Sequence, residues 1–307
     1  MSHGHFVWPS NGIAPDMPVW GHRSGLRIGL APTRGPRGLI RIYAPYLGQV
    51  FPRVVNFLSI EPSVVGEKGR GQSELEMSRE RPGERGLTFW ASDDLEQGIQ
   101  PESPVAGDLI DNSQTLRIYI HTEPFRNGAC PVIECRFHKD TPFELELITH
   151  IDARSTPLAS CTISATMGNY GQLRRIHLKN DCVISALDLW NDESPGKLAF
   201  YSWRSWPAED LERTADGRYY VQLSSDAADP AAEEYDANVA PHWRYVGKRA
   251  IHFWRTEADA DPRVAVNGRK TYWMSDSRIP GGMAFENFEL RMPFQPGRKL
   301  WFGVRPD

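Results

Sequence analysis

The sequence predicts an all-β protein, an antiparallel β-sandwich of two stacked sheets. Three observations carry that prediction. Short runs in which apolar and polar residues alternate with period two recur along the chain. Gly, Pro, Asn and Asp separate them at turn positions. No run shows the 3.6-residue periodicity of a long amphipathic helix, so alternating βαβ units are not expected. No repeat of fixed period is visible, which argues against a propeller.

Residues 1–18 carry Pro9, Gly12, Pro15 and Pro18 and read as an extended lead-in to one sandwich domain over 19–307. Trp20-Gly21-His22-Arg23-Ser24-Gly25 places an indole, an imidazole and a guanidinium between glycines, a candidate ligand rim. Leu26, Ile28 and Leu30 alternate with Arg27 and Gly29, which predicts a strand over 25–30. Gly35-Pro36-Arg37-Gly38 is a turn, and Leu39–Tyr43 completes a hairpin. The near-continuous apolar run at 54–60 predicts a strand buried on both faces. Residues 61–86, rich in Glu, Arg, Gly and Ser, read as a surface excursion that can hold a short edge strand at Glu74–Glu76. Residues 91–114 are acidic and turn-rich and read as a loop.

The pattern is strongest from Thr115 to His150. Leu116, Ile118 and Ile120 alternate with Arg117, Tyr119 and His121. Ile133, Cys135 and Phe137 alternate with Val132, Glu134, Arg136 and His138. Asn127-Gly128 and Thr141-Pro142 supply turns. If the two strands pair antiparallel, Tyr119, His121, Glu134, Arg136 and His138 share one polar face. A third run, Phe143-Glu144-Leu145-Glu146-Leu147, puts Glu144 and Glu146 on one side.

Strands follow at 160–166 and 173–178, an apolar run at 183–189, a strand at 198–203, a helical turn within 209–217 and a strand at 218–223. The acidic, Ala-rich segment 224–241 reads as a surface insert and mobile lid. Residues 248–254 form a strand. Asn267-Gly268 predicts a hairpin turn between 264–266 and 271–274. Strands at 284–292 and 299–304 close the chain.

The composition narrows the function. With 35 Lys and Arg against 39 Asp and Glu the formal charge is −4, which gives no reason to expect nucleic acid or an anionic membrane as partner. Trp, Tyr and Phe number 10, 10 and 13; the flat faces of Trp and Tyr suit stacking on sugar rings, and a β-sandwich core uses such residues as well. No segment approaches the roughly 20 apolar residues of a membrane helix. The N-terminal residues lack a signal peptide's basic and apolar regions, so a cytoplasmic protein is expected unless a signal precedes this sequence. Cys130, Cys135, Cys161 and Cys182 are too sparse for a disulfide framework and form no CxxC pair.

Three chemistries suit the polar face. A polysaccharide lyase neutralises a uronate carboxylate, removes the neighbouring proton and protonates the leaving oxygen; Arg136 fits the first task, Tyr119, His121 and His138 the others. A glycoside hydrolase needs two carboxylates, about 5–5.5 Å or 6.5–9.5 Å apart, which Glu134 with Glu144, Glu146 or Glu123 can provide. A metal site from His121, Glu134, His138 and His177 lacks HExxH or comparable spacing, so no metal or other cofactor is expected. Trp20, His22, Arg23, His177 and Trp254 are the candidate substrate-binding residues.

Residues 279–294, IPGGMAFENFELRMPF, resemble the closing strands of concanavalin-like jelly-roll proteins. That resemblance implies a jelly-roll-like sandwich with a carbohydrate groove on one sheet, and it assigns no catalytic residue. The expected protein therefore acts on a polysaccharide or oligosaccharide, as a lyase in preference to a glycoside hydrolase. The alternative is a non-catalytic carbohydrate-binding sandwich.

Overall fold

The computed structural model describes residues 4–9, 18–31, 36–49, 53–96, 100–101 and 105–307. Strand accounts for 42% and helix for 6%, in two large antiparallel sheets packed as a sandwich. The chain first lays down β1 (Phe6–Val7), β2 (Val19–His22), β3 (Arg27–Gly29), β4 (Leu39–Tyr43) and β5 (Asn56–Val64) side by side in a nine-stranded sheet. It then crosses to an eleven-stranded sheet for β6 (Phe89–Ser92), β7 (Asp108–Ile110), β8 (Thr115–Thr122), β9 (Pro131–His138) and β10 (Glu144–Ile151). β11 (Leu158–Ala165) returns to pair with β5. β12 (Leu173–Leu178), β13 (Cys182–Ser185) and the short helix α1 (Ala186–Trp190) lie at the far edge of the eleven-stranded sheet.

The second half fills in between. β14 (Arg204–Trp206) edges the nine-stranded sheet. β15 (Glu212–Arg213), β16 (Tyr219–Ser225) and β17 (Ala250–Thr256) extend the eleven-stranded one. β18 (Arg263–Arg269) and β19 (Ala284–Arg291) complete the nine-stranded sheet against β11. Finally β20 (Lys299–Pro306) slots between β17 and β10. Each sheet thus takes strands from both halves of the chain, and early and late strands are hydrogen-bonded neighbours.

Alternation fixes which face is wet. Leu116, Ile118, Ile120, Ile133, Cys135 and Phe137 point between the sheets and are at most 1% exposed. Burying one such side chain contributes about 1.5–3 kcal/mol, and a one-residue slip exposes all of them, so register is tightly held. From the other sheet Ile40, Leu58, Ile60, Val266 and Phe288 close the same core.

Several expectations need correction. The segment 91–114 is not loop throughout: it holds the end of β6 and all of β7, while 97–99 and 102–104 lie outside the described residues. Most of the lead-in, including Gly12 and Pro15, also lies outside them, as does Gly35; Phe6–Val7 pairs with β2. Glu74–Glu76 forms a turn, not an edge strand. The run 183–189 splits into β13 and α1 because the Ser185 hydroxyl accepts the Asp188 amide at 3.1 Å and caps a helix there. Residues 197–199 form a 3-10 turn, and the strand begins only at Arg204.

Asn267-Gly268 makes no hairpin. It lies inside β18 at a register shift, where the Asn267 side chain accepts the Asn287 amide at 3.0 Å. Gly268 is required by close approach, since a Cβ there would sit 2.7 Å from Trp190 Cζ3. The insert 224–241 is pinned and does not hang free as a lid. The Pro230 carbonyl accepts from Gln172, Tyr235 bonds Gln172 and the Tyr245 amide, and Val239 is buried beside Tyr272 and Ile279.

Candidate active site

The outer face of the eleven-stranded sheet carries the charged residues of β8, β9, β10 and β20. Antiparallel register sets Tyr119 opposite Glu134, Arg117 opposite Arg136, and Thr115 opposite His138. Arg136 then faces Glu146, which faces Trp301. Glu134, Arg136, His138 and Tyr119 therefore project to one side, and the continuing alternation of β10 adds Glu144, Glu146 and His150.

Two buried carboxylates organise this face. Glu134 accepts from Arg136 Nε at 2.6 Å and from His150 Nε2 at 2.7 Å. Glu146 contacts His138 Nε2 at 3.2 Å, Trp301 Nε1 at 3.1 Å, Arg136 Nη1 at 3.4 Å and Lys299 Nζ at 3.5 Å. Burial opposes the charge of both. For Glu134, hydrogen bonds from His150 and Arg136 outweigh it and hold the carboxyl below its usual range. For Glu146, the His138 hydrogen bond and the Lys299 charge do the same. Glu144 is tied to Arg255 at 2.6 Å, yet burial leaves it raised.

The imidazoles lie above these carboxylates and remain open. The side chains of His138 and His150 are 35% and 25% exposed, against 3% for Glu134. His138 uses both ring nitrogens, meeting Thr115 Oγ1 at 3.1 Å as well as Glu146. His150 uses only Nε2. With that nitrogen donating to Glu134, Nδ1 is left as an acceptor without a partner among the described residues. The Tyr119 ring meets His150 edge-on at 6.1 Å. Burial, then the Glu134 charge, raise the Tyr119 hydroxyl, so it keeps its proton at neutral pH.

Other candidate residues lie elsewhere. His121 faces the same side but is closed off: its ring stacks on Trp90 at 5.7 Å and bonds the Asp94 carbonyl. Burial lowers its basicity. Glu123 is a fastening carboxylate, accepting from Ser78 and from the backbone of Arg79 and Thr88. Trp20 is 1% exposed and donates to the Val105 carbonyl. His22 is buried against the β9–β10 turn, meeting the Lys139 carbonyl at 3.2 Å. Arg23 is exposed, but its amide and guanidinium are turned to His5 and Phe6. Trp254 points into the core, fully buried, with its indole N–H on the Phe288 carbonyl at 3.0 Å. It therefore has no face for a ligand. His177, on β12, bonds Ser224 at 2.8 Å, with β16, β17, β20 and β10 between it and β9. Among the described residues no three His, Cys, Asp or Glu side chains converge as a metal site.

His150, Trp301 and Lys299 belong to the face without having been singled out. His150 was within reach, since the alternation Glu144, Glu146, Ile148, His150 places it there. Trp301 and Lys299 arrive from the far end of the chain, and no local pattern announces that pairing.

No family model matches the chain, and no curated protein matches it. Solved structures give distant likenesses. The GH36 alpha-galactosidase AgaA from Geobacillus stearothermophilus aligns at TM-score 0.38 and 8% identity, over 98% of this chain and 41% of that one. A variant of AgaA in complex with stachyose aligns at TM-score 0.35 and 9% identity, over 96% and 40%. The protein HI1317 aligns at TM-score 0.28 and 7% identity, over 98% and 99%. The chain thus spans about two fifths of the length of the alpha-galactosidases. Likenesses this distant assign neither a family nor a chemistry. The resemblance of 279–294 to concanavalin-like closing strands finds no counterpart among them.

Proposed function

We propose that the outer face of the eleven-stranded sheet is the acid–base site of a carbohydrate-active enzyme that cleaves glycosidic bonds. One observation carries this reading: His150 holds Glu134 through Nε2 at 2.7 Å while Nδ1 is left free on an accessible face. A carboxylate behind an imidazole fixes its tautomer and stabilises the imidazolium formed when the other nitrogen takes a proton. Tyr119, protonated and beside the same ring, is the matching donor. His138 on Glu146 repeats the pair one strand row away.

The same geometry argues against two alternatives. A carboxylate-based hydrolase needs an accessible protonated acid; Glu134 and Glu146 are held in the charged form, and Glu144, which burial raises, is taken up by its 2.6 Å pair with Arg255. A lyase needs a group that neutralises the uronate carboxylate, and the residue that fits this task, Arg136, bridges Glu134 and Glu146. Proton transfer therefore falls to the imidazole and the phenol. The non-catalytic reading keeps one argument of its own: every carboxylate on the face is bonded to a neighbour, so none is free as a nucleophile.

Incubation with neutral and uronate-containing polysaccharides tests the reading. New reducing ends without ultraviolet absorbance are the expected result. Unsaturated products would restore elimination, and retention without products would leave a binding protein.

A further inference from the structure

The opposite, nine-stranded sheet has a feature that the acid–base face does not use. Its outer surface holds a wide, shallow depression of about 700 Å³, lined by Arg70, Arg263, Arg291, Trp203, Asp261 and Met292 among others. That volume lies within the range of small-molecule sites. Arg263 on β18 and Arg291 on β19 are direct cross-strand partners. Like charges set opposite each other repel, so a sheet keeps such a pair only at a cost.

The neighbouring charges compensate that pair unevenly. Arg70 spans Glu61, at 2.6 Å, and Glu289, with two bonds of 3.0 and 2.9 Å. Glu289 also takes Arg291 Nε at 2.5 Å. Arg263 has no carboxylate partner among the described residues and reaches Ser205 Oγ at 3.5 Å. Above them stands Trp203, 37% exposed, with the Arg291 guanidinium 4.3 Å and the Arg70 guanidinium 5.8 Å from its ring centre. An indole this exposed, immobilised between charges at the wall of the depression, is an unusual use of a large apolar side chain.

We propose that this depression binds an acidic sugar, its carboxylate or sulfate taken by Arg263 and Arg291 and its ring resting against Trp203 and Met292. Guanidinium forks match oxyanions in geometry, and an incoming anion removes the repulsion between the two arginines. The hydroxyls of Ser63, Ser160 and Thr162 and the carboxylate of Asp261 line the same depression and suit ring hydroxyls as partners. This site lies on the other sheet from the acid–base face and does not depend on the chemistry assigned there.

Calorimetry of the intact chain tests it with three probes: a glucuronate-containing disaccharide, the same disaccharide with its carboxyl reduced, and inorganic sulfate. The acidic disaccharide is expected to bind, and the reduced one at least about 10-fold more weakly, since one charge-assisted bond is worth that much. Arg263→Gln should cost the acidic sugar a similar factor while the melting temperature does not fall, and Arg263→Lys should cost less. The proposal is overturned if the reduced sugar binds as tightly, if Arg263→Gln binds like the parent, or if only inorganic sulfate binds.

Discussion

The outer faces of the two sheets are built from the same kinds of residue and are wired in opposite ways. On the eleven-stranded sheet, buried carboxylates sit beneath exposed imidazoles, and the hydrogen bonds above hold Glu134 and Glu146 in the charged form. On the nine-stranded sheet, desolvation wins. Burial, then repulsion from Glu289, raises Glu61 to about 7 despite its bond to Arg70. One guanidinium shared between two carboxylates offsets less than several donors around each. The first arrangement leaves an imidazole nitrogen without a partner on a half-buried ring; the second leaves arginines facing outward. That difference supports placing proton transfer on one sheet and anion recognition on the other.

The sharpest way to break the comparison is at His150. His150→Ala should lower turnover on a cleaved polysaccharide by about 100-fold or more, because it removes the group proposed as the base. The fold should persist at a loss of about 1–2 kcal/mol, since the change strips one hydrogen bond from the buried Glu134, which keeps Arg136. A variant with parental turnover removes the acid–base assignment. Glu134→Gln should also slow turnover, by less, since it keeps a hydrogen-bond acceptor but loses the charge behind the imidazole.

On the other sheet the largest effect should be on stability. Glu289→Ala removes a carboxylate that is 1% exposed and holds both Arg70 and Arg291. Breaking a buried pair costs 3–5 kcal/mol, and because both arginines are partly exposed about 2 kcal/mol is the discounted expectation. The urea midpoint of the variant reads it directly. An unchanged midpoint would mean that the arginines find other partners.

A smaller effect has opposite signs on the two faces. Glu61 and Glu74 keep their protons to about pH 7, and Glu286 to about pH 8, whereas an unfolded glutamate loses its proton near 4.5. The folded chain therefore binds more protons in that window, and these groups make stability fall as pH rises from about 4.5 to 8. Glu134 and Glu146 are depressed instead, so their contribution is present above about 4.5 and is lost as pH falls below it. Thermal melts between pH 5 and 8 should show a shallower decline for Glu61→Gln than for the parent. An identical slope would contradict the account of Glu61.

The sandwich was legible because its evidence is local. Leu116, Ile118 and Ile120 against Arg117, Tyr119 and His121 declare both a strand and its wet side within seven residues. The site was legible only where two alternating strands are sequence neighbours, as with Tyr119, Glu134, Arg136 and His138. Trp301 and Lys299 join through the insertion of β20 beside β10, a pairing of residues about 150 positions apart that no short pattern encodes. Trp254 misled because KRAIHFW breaks alternation at Ala250-Ile251 and Phe253-Trp254 and so does not say which half faces the core; His252 and Trp254 point inward while Phe253 and Arg255 point out. Asn267-Gly268 misled because the same dipeptide serves a turn and a bulge, and only Trp190 packing against Gly268 distinguishes them here.

The central claim is that His138 and His150 meet the substrate. The nine histidines are separate reporters, with His252 in the core and His177 at the far edge of the same sheet. Nitrogen-15 imidazole spectra recorded while a cleavage-resistant oligosaccharide is titrated in test the claim most directly. Shifts at His138 and His150, with His177 and His252 unmoved, are the predicted result; saturating ligand that leaves both unmoved would contradict it.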